Sequence, residues 1–128
     1  MHDSLYERGM AVRRQVLGDA HVDLAETRKD AFTADFQELI TRYAWGGIWT
    51  RDGLDRRTRS CITLAMLAAL HHDAELALHV RAVRRNGLTP DEIKEVLLQV
   101  AVYAGVPAAN RAFEVARRAL TDPPGDLG

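Results

Sequence analysis

The chain has 128 residues, room for one domain, and 47% apolar residues are enough to give it a packed core. Charged residues make up 27% and nearly cancel, leaving a formal net charge of -1, which argues against a nucleic-acid binder. One cysteine, Cys61, excludes an internal disulfide, a CxxC redox pair and a cysteine-based zinc site, and points to a reducing cytoplasm. In chain order, the N-terminus lacks the basic stretch and apolar run of a signal peptide. Leu5 to Leu17 reads as a helix stopped by Gly18, and Gly18 to Asp30 as a polar connector of weak helical character. Thr33 to Tyr43 reads as an amphipathic helix, with Phe32, Phe36, Leu39, Ile40 and Tyr43 at helical spacing. Gly46 and Gly47 then break it, with Trp45 and Trp49 flanking the break.

Asp55 is the expected N-cap of a helix reaching about His71. Its centre, Ile62 to Leu70, is apolar all round, which implies burial on every side and, in a small protein, a partner subunit. That run is too short to span a bilayer. A further helix covers Asp73 to Arg85 and closes at Asn86-Gly87. Thr89-Pro90-Asp91-Glu92 carries a capping box with Pro at the first helical position, opening a helix that ends at Gly105. Its stripe of Ile93, Val96, Leu97, Val100, Ala101 and Ala104 is joined by Leu98 and Val102 on a second face, again suggesting an oligomer. Pro107 opens a last helix to about Leu120, and 122–128 reads as a frayed tail. No segment alternates with period two, so the fold class is all-α, a single domain over 1–128 with about six helices and a core at about 32–120.

Several groups have the composition of a site. Arg56, Arg57 and Arg59 sit in the first turn of a helix, the wrong end for cations unless an anion binds there. Either Asp52 and Asp55 neutralise them, or a carboxylate does; Arg59, nearest the apolar run, is the favoured ligand. His72, Glu75 and His79 share one helix face, a spacing that admits a metal but is not HExxH. His79, between Leu78 and Val80, is either a hydrogen-bonded core residue or a proton shuttle. Glu95, Gln99 and Tyr103 form one rung, readable as an exposed polar stripe. Trp45 and Trp49 either line a pocket or fill the core, and Asn110 is a cap-region residue or a ligand donor.

Four stretches in order resemble the carboxymuconolactone decarboxylase family: Gly53 to Ser60, Glu75 to Ala82, Asn86 to Gln99 and Tyr103 to Asn110. Phe36 to Arg51 strengthens the likeness, which runs from about Tyr6 to Leu120. Related alkylhydroperoxidase D-like proteins carry CxxCxxxH. Set on His79, that motif places its cysteines at His72 and Glu75, so the thiol chemistry is not expected here. The resemblance implies an alkylhydroperoxidase D-like helical bundle, assembled as a trimer or hexamer, with no cofactor and no metal. It further implies decarboxylation of 4-carboxymuconolactone to 3-oxoadipate enol-lactone in protocatechuate catabolism.

In that reaction the substrate is its own electron sink. Arg59 and Arg57 would hold the acetate arm, and Trp45 or Trp49 would face the leaving carboxylate. Asn110 would be a further substrate contact. His79 would be the general acid, oriented by Glu95 or assisted by Tyr103 at the oxyanion. Three alternatives stand beside this reading: a lyase for another lactone or β-keto acid, a non-catalytic oligomer binding small carboxylates, and a metal protein using His72, Glu75 and His79.

Overall fold

The computed structural model describes residues 3–121, and the expected tail at 122–128 lies outside them. Among the described residues there are seven α-helices and no strand, one helix more than the sequence pattern suggests. The described residues fall into two compact units that divide between Asp55 and Arg56.

The first unit holds α1 (Ser4–Leu17), α2 (Asp19–Arg28), α3 (Ala34–Ile40) and a π-helical turn, Thr41–Gly46, that continues α3. Asp3 caps α1 by accepting the Tyr6 N–H at 3.0 Å, and Gly18 ends it with φ 93°. The stretch from Gly18 to Asp30, expected to be a connector, is mostly α2. Its helical periodicity is faint because Val22 is its one buried residue, and Arg14 ties it to α1 through Asp19 (3.1 Å) and Asp23 (2.8 Å).

The helix predicted over Thr33 to Tyr43 exists, but its apolar stripe does not face the unit's core. Phe32 (92% exposed), Phe36, Leu39 and Tyr43 all point away from it. The buried residues are instead Thr41, Trp45 and Gly46. A π turn adds a residue to the helical cycle and so re-phases the face that follows it. Trp45 therefore lies inside the helical segment, and Gly46 is its last residue rather than its breaker. Glycine at 9 and 46 lets α1 and the π turn meet backbone to backbone: a Cβ on Gly9 would stand 2.3 Å from the Thr41 carbonyl oxygen.

The second unit holds α4 (Arg56–Ala69), α5 (Asp73–Val83), a 3₁₀ turn (Arg84–Asn86), α6 (Pro90–Ala104) and α7 (Val106–Thr121). α4 starts one residue after Asp55. Its expected all-round burial is not found within the chain: Leu64 and Ala68 are buried, whereas Ile62, Met66 and Leu70 are exposed. α5 and α6 each pack against α4 and α7. The core is built from Leu64, Leu76, Val80, Val83, Ile93 and Leu97 against an alanine face of α7. The five buried residues of α7 are all alanines, so its backbone can come close to its neighbours.

Two Schellman closures shape the connections. At the end of α5 the Leu88 N–H donates to the Val83 carbonyl and the Gly87 N–H to that of Arg84, with Gly87 at φ 90°. The α4 end repeats this pattern, His72 to Leu67 and His71 to Ala68, but places His71 in the left-handed region at φ 61°. At Thr89 the predicted capping box is complete: its hydroxyl accepts the Glu92 N–H, and the Glu92 carboxylate accepts the Thr89 N–H.

Candidate active site

The two tryptophans lie in the first unit, held by the π turn and the turn after it. Their ring centroids are 5.1 Å apart with planes tilted by 35°, a stacked pair with Trp45 buried and Trp49 half-buried. The Trp49 N–H reaches back to the Ala44 carbonyl (3.0 Å), five residues away. The wide turn itself thus sets where the second ring stands.

In the second unit, α4 carries Arg59, half-buried, beside Ser60, which is buried and whose Oγ finds no hydrogen-bond partner among the described residues. Arg57 points elsewhere. It donates to the Gly87 carbonyl at 2.6 Å and pairs with Glu92, so it clasps the loop that caps α6. This guanidinium is committed to structure by the same carboxylate that completes the capping box.

His79 is only 8% exposed on the inner side of α5. Glu75, one turn earlier, is exposed, and His72 is exposed at the non-helical cap position before α5. Among the described residues no group of three His, Cys, Asp or Glu side chains clusters as a metal site would. Glu95 and Tyr103 (82% exposed) lie on the outer face of α6. α5, which carries His79, and α6, which carries Glu95 and Tyr103, each pack against α4 and α7.

Asn110, in the early turns of α7, stands at the rim of an apolar groove between α6 and α7. The groove is about 360 Å³, floored by Ile93, Leu97 and Phe113 and edged by Lys94 and Arg117. On its other side, Arg111 pairs with Asp73 through both carboxylate oxygens (2.9 and 2.5 Å), joining α7 to the start of α5. That bond holds the Asp73 carboxyl below its ordinary range and raises the Arg111 guanidinium.

Sequence reasoning passed over Arg13. It is 4% exposed in α1, bonded to Gln37 Oε1 (3.2 Å) and Thr41 Oγ1 (3.5 Å). Burial pulls this guanidinium below its usual pKa. An arginine in the middle of a predicted helix carries no local sign of burial, since the residues that bury it come from Gln37 onward.

The described residues thus form an all-helical protein with a buried histidine and a half-buried arginine in its second unit and a stacked tryptophan pair in its first. The family model described as the carboxymuconolactone decarboxylase family matches residues 34–118. The chain is 45% identical over 117 residues to the 4-carboxymuconolactone decarboxylase of Acinetobacter baylyi, covering 91% of this chain and 87% of that protein. It is 41% identical over 122 residues to the nitrosuccinic acid decarboxylase npaB of Metarhizium robertsii, covering 95% and 85%. A 4-carboxymuconolactone decarboxylase sequence of Pseudomonas putida matches at 56% over 41 residues, 32% of this chain and 85% of that sequence. The chain belongs to the carboxymuconolactone decarboxylase family.

Proposed function

We propose that the protein converts 4-carboxymuconolactone to 3-oxoadipate enol-lactone and CO2, a step of protocatechuate breakdown in the cytoplasm, without a cofactor. The observation that carries this reading is the 45% identity, over nearly the whole chain, to the Acinetobacter baylyi decarboxylase of that name. The C–CO2 bond breaks, its electron pair passes through the ring double bond to the lactone carbonyl, and a dienolate forms. One proton added beside the carbonyl completes the product.

Arg59 is assigned to the acetate arm. Arg57 contributes only by releasing Gly87 and Glu92. The tryptophan pair offers the leaving carboxylate an apolar wall, since a salt bridge there would stabilise the ground state. His79 is assigned the proton, its burial limiting competition from solvent. Asn110 is assigned to substrate at the groove rim.

The working form we propose is a homo-oligomer, a trimer or a hexamer. Supporting it, seven large apolar side chains of the second unit stay exposed: Ile62 and Met66 on α4, Leu70 just after it, and Leu98, Val102, Tyr103 and Val106 on α6 and the start of α7. At about 100 Å² each they approach the ~800 Å² that one partner contributes to an ordinary interface. Glu95 and Tyr103 share that outer region, and they act on substrate where subunits meet.

A second reading is favoured by the 41% identity to the nitrosuccinic acid decarboxylase. A nitro group takes up the electron pair as a nitronate just as the lactone does as a dienolate. The deciding experiment generates the lactone in situ, follows CO2 release in the presence of a chelator, and runs nitrosuccinate in parallel. Faster turnover of the lactone supports the first reading, preference for nitrosuccinate replaces it with the second, and inertness towards both removes the decarboxylase assignment. His79→Gln is expected to lower kcat at least about tenfold with the oligomer intact. Near-normal turnover in the folded variant would take His79 out of the reaction.

A further inference from the structure

We infer that Arg13 is the positioning residue of the tryptophan pair: its buried guanidinium locks the chain into the π-helical register that seats Trp45 and stacks it on Trp49. Its catalytic consequence rests on the reading of that pair as a wall of the substrate site. Three observations converge on it.

The first is cost. Arg13 is almost fully buried, its Nε has no hydrogen-bond partner, and among the described residues no carboxylate lies within ion-pairing distance. Its acceptors are the neutral Gln37 and Thr41. A buried cation whose direct partners are all neutral is unfavourable: the longer-range attraction of Glu26 does not offset its desolvation, and an apolar side chain of similar volume would suit stability better. Global stability therefore does not account for an arginine here.

The second is where its two bonds land. Gln37 and Thr41 bracket the switch from α3 to the π turn. The Thr41 N–H is shared between the Gln37 and Glu38 carbonyls, and the Thr41 hydroxyl donates back to the Gln37 carbonyl at 2.8 Å. The guanidinium fork spans both side chains, holding Thr41 and Gln37 in the spacing the wider turn requires.

The third is what the switch controls. Were Thr41–Gly46 to rewind as ordinary α-helix, each later residue would turn by the angle of one residue, roughly 100°. Trp45 would leave its buried seat, the Trp49 N–H would lose the Ala44 carbonyl, and the stacking would open. Gly9 and Gly46 hold α1 against the turn, and Arg13, one helical turn beyond Gly9, determines which turn it is.

The chain has two tryptophans, so its Trp–Trp exciton couplet in circular dichroism reports this pair alone. Arg13→Met is compared with wild type, with Arg13→Lys, and with the double variant Gln37→Leu/Thr41→Val, which removes the acceptors instead of the donor. Each is measured for helical signal, thermal midpoint, the couplet, and kcat and KM on the lactone. Arg13→Met and the acceptor variant should both keep the helical signal, with Arg13→Met melting no earlier than wild type. Both should lose the couplet and lower kcat about tenfold with KM within about twofold. Arg13→Lys should fall between them and wild type. An intact couplet in either variant overturns the positioning role, and so does a loss of helical signal in Arg13→Met accompanied by a wild-type couplet in the acceptor variant. A lost couplet with unchanged kcat supports positioning but removes the tryptophans from the substrate wall. Wild type inert on the lactone overturns the proposed activity while the couplet still decides the role of Arg13.

Discussion

Gly9→Ala probes the close approach that organises the first unit. The new methyl would stand 2.3 Å from the Thr41 carbonyl oxygen, 2.7 Å from the Gly46 nitrogen and 3.0 Å from the Gly46 Cα, all backbone atoms that no rotamer change can move aside. Restoring ordinary contact at 3.4 Å requires 3.4 − 2.3, or 1.1 Å, of retreat by α1. A gap of that size forfeits between a quarter and a half of each packing contact it opens. The apolar side chains at stake are Tyr6, Val16, Leu17 and Trp45, all buried. At about 2 kcal/mol each their burial contributes about 8 kcal/mol, so about 2–4 kcal/mol is lost. Alanine's better helix propensity returns up to about 1 kcal/mol, leaving a net loss of about 1–4 kcal/mol. Gly53 is the control: nothing lies within 4 Å of its would-be Cβ, so Gly53→Ala should leave stability unchanged or slightly raised. Urea unfolding followed by the near-ultraviolet dichroism of the tryptophans reads the first unit directly. If Gly9→Ala unfolded at the same midpoint as wild type or later, the contact between α1 and the π turn would not be as drawn.

Other perturbations test the second unit. His71→Gly relieves a left-handed backbone at φ 61° and should stabilise by about 0.5–1 kcal/mol in thermal or urea melts; a loss would mean the histidine side chain contributes more than its strain costs. Thr89→Ala should cost about 1 kcal/mol, and adding Glu92→Ala should cost less than the sum of the two single changes, because they share one capping box. Strict additivity would show that the two groups do not act together. Ala112→Leu puts a large side chain where α7 packs through alanine, and should cost about 3 kcal/mol or unfold the unit; a tolerated leucine would mean the core there is loose. The Asp73 carboxyl is held below its unfolded value by Arg111, so its contribution to stability is complete above the ordinary carboxylate range and disappears as pH falls through the lowered value. Arg111→Met should flatten that acid limb of melting temperature against pH, and an unchanged acid limb would mean the ion pair has no thermodynamic weight.

Some of this protein was legible along the chain. The Thr89–Glu92 box, Gly18 and Gly87 mark helix ends through bonds that span only a few residues, so their residue types suffice to predict them. The all-helical class followed from the same local patterns and the family from the resemblance of four ordered stretches between Gly53 and Asn110, and no helix of the described residues is long and apolar enough to cross a membrane. The remainder depended on contacts between segments far apart in sequence. α2 buries too little to show a period, and the π turn reverses which face of its helix is covered. Arg57 looks like an anion ligand until Gly87 and Glu92 are brought to it from thirty and more positions away. Arg13 looks like a surface residue until Gln37 and Thr41 enclose it. Hydrogen bonds within one turn of chain are set by neighbouring residue types. Burial, and the charge state and partner of each buried group, are set by which distant backbone arrives, and that only the tertiary structure decides.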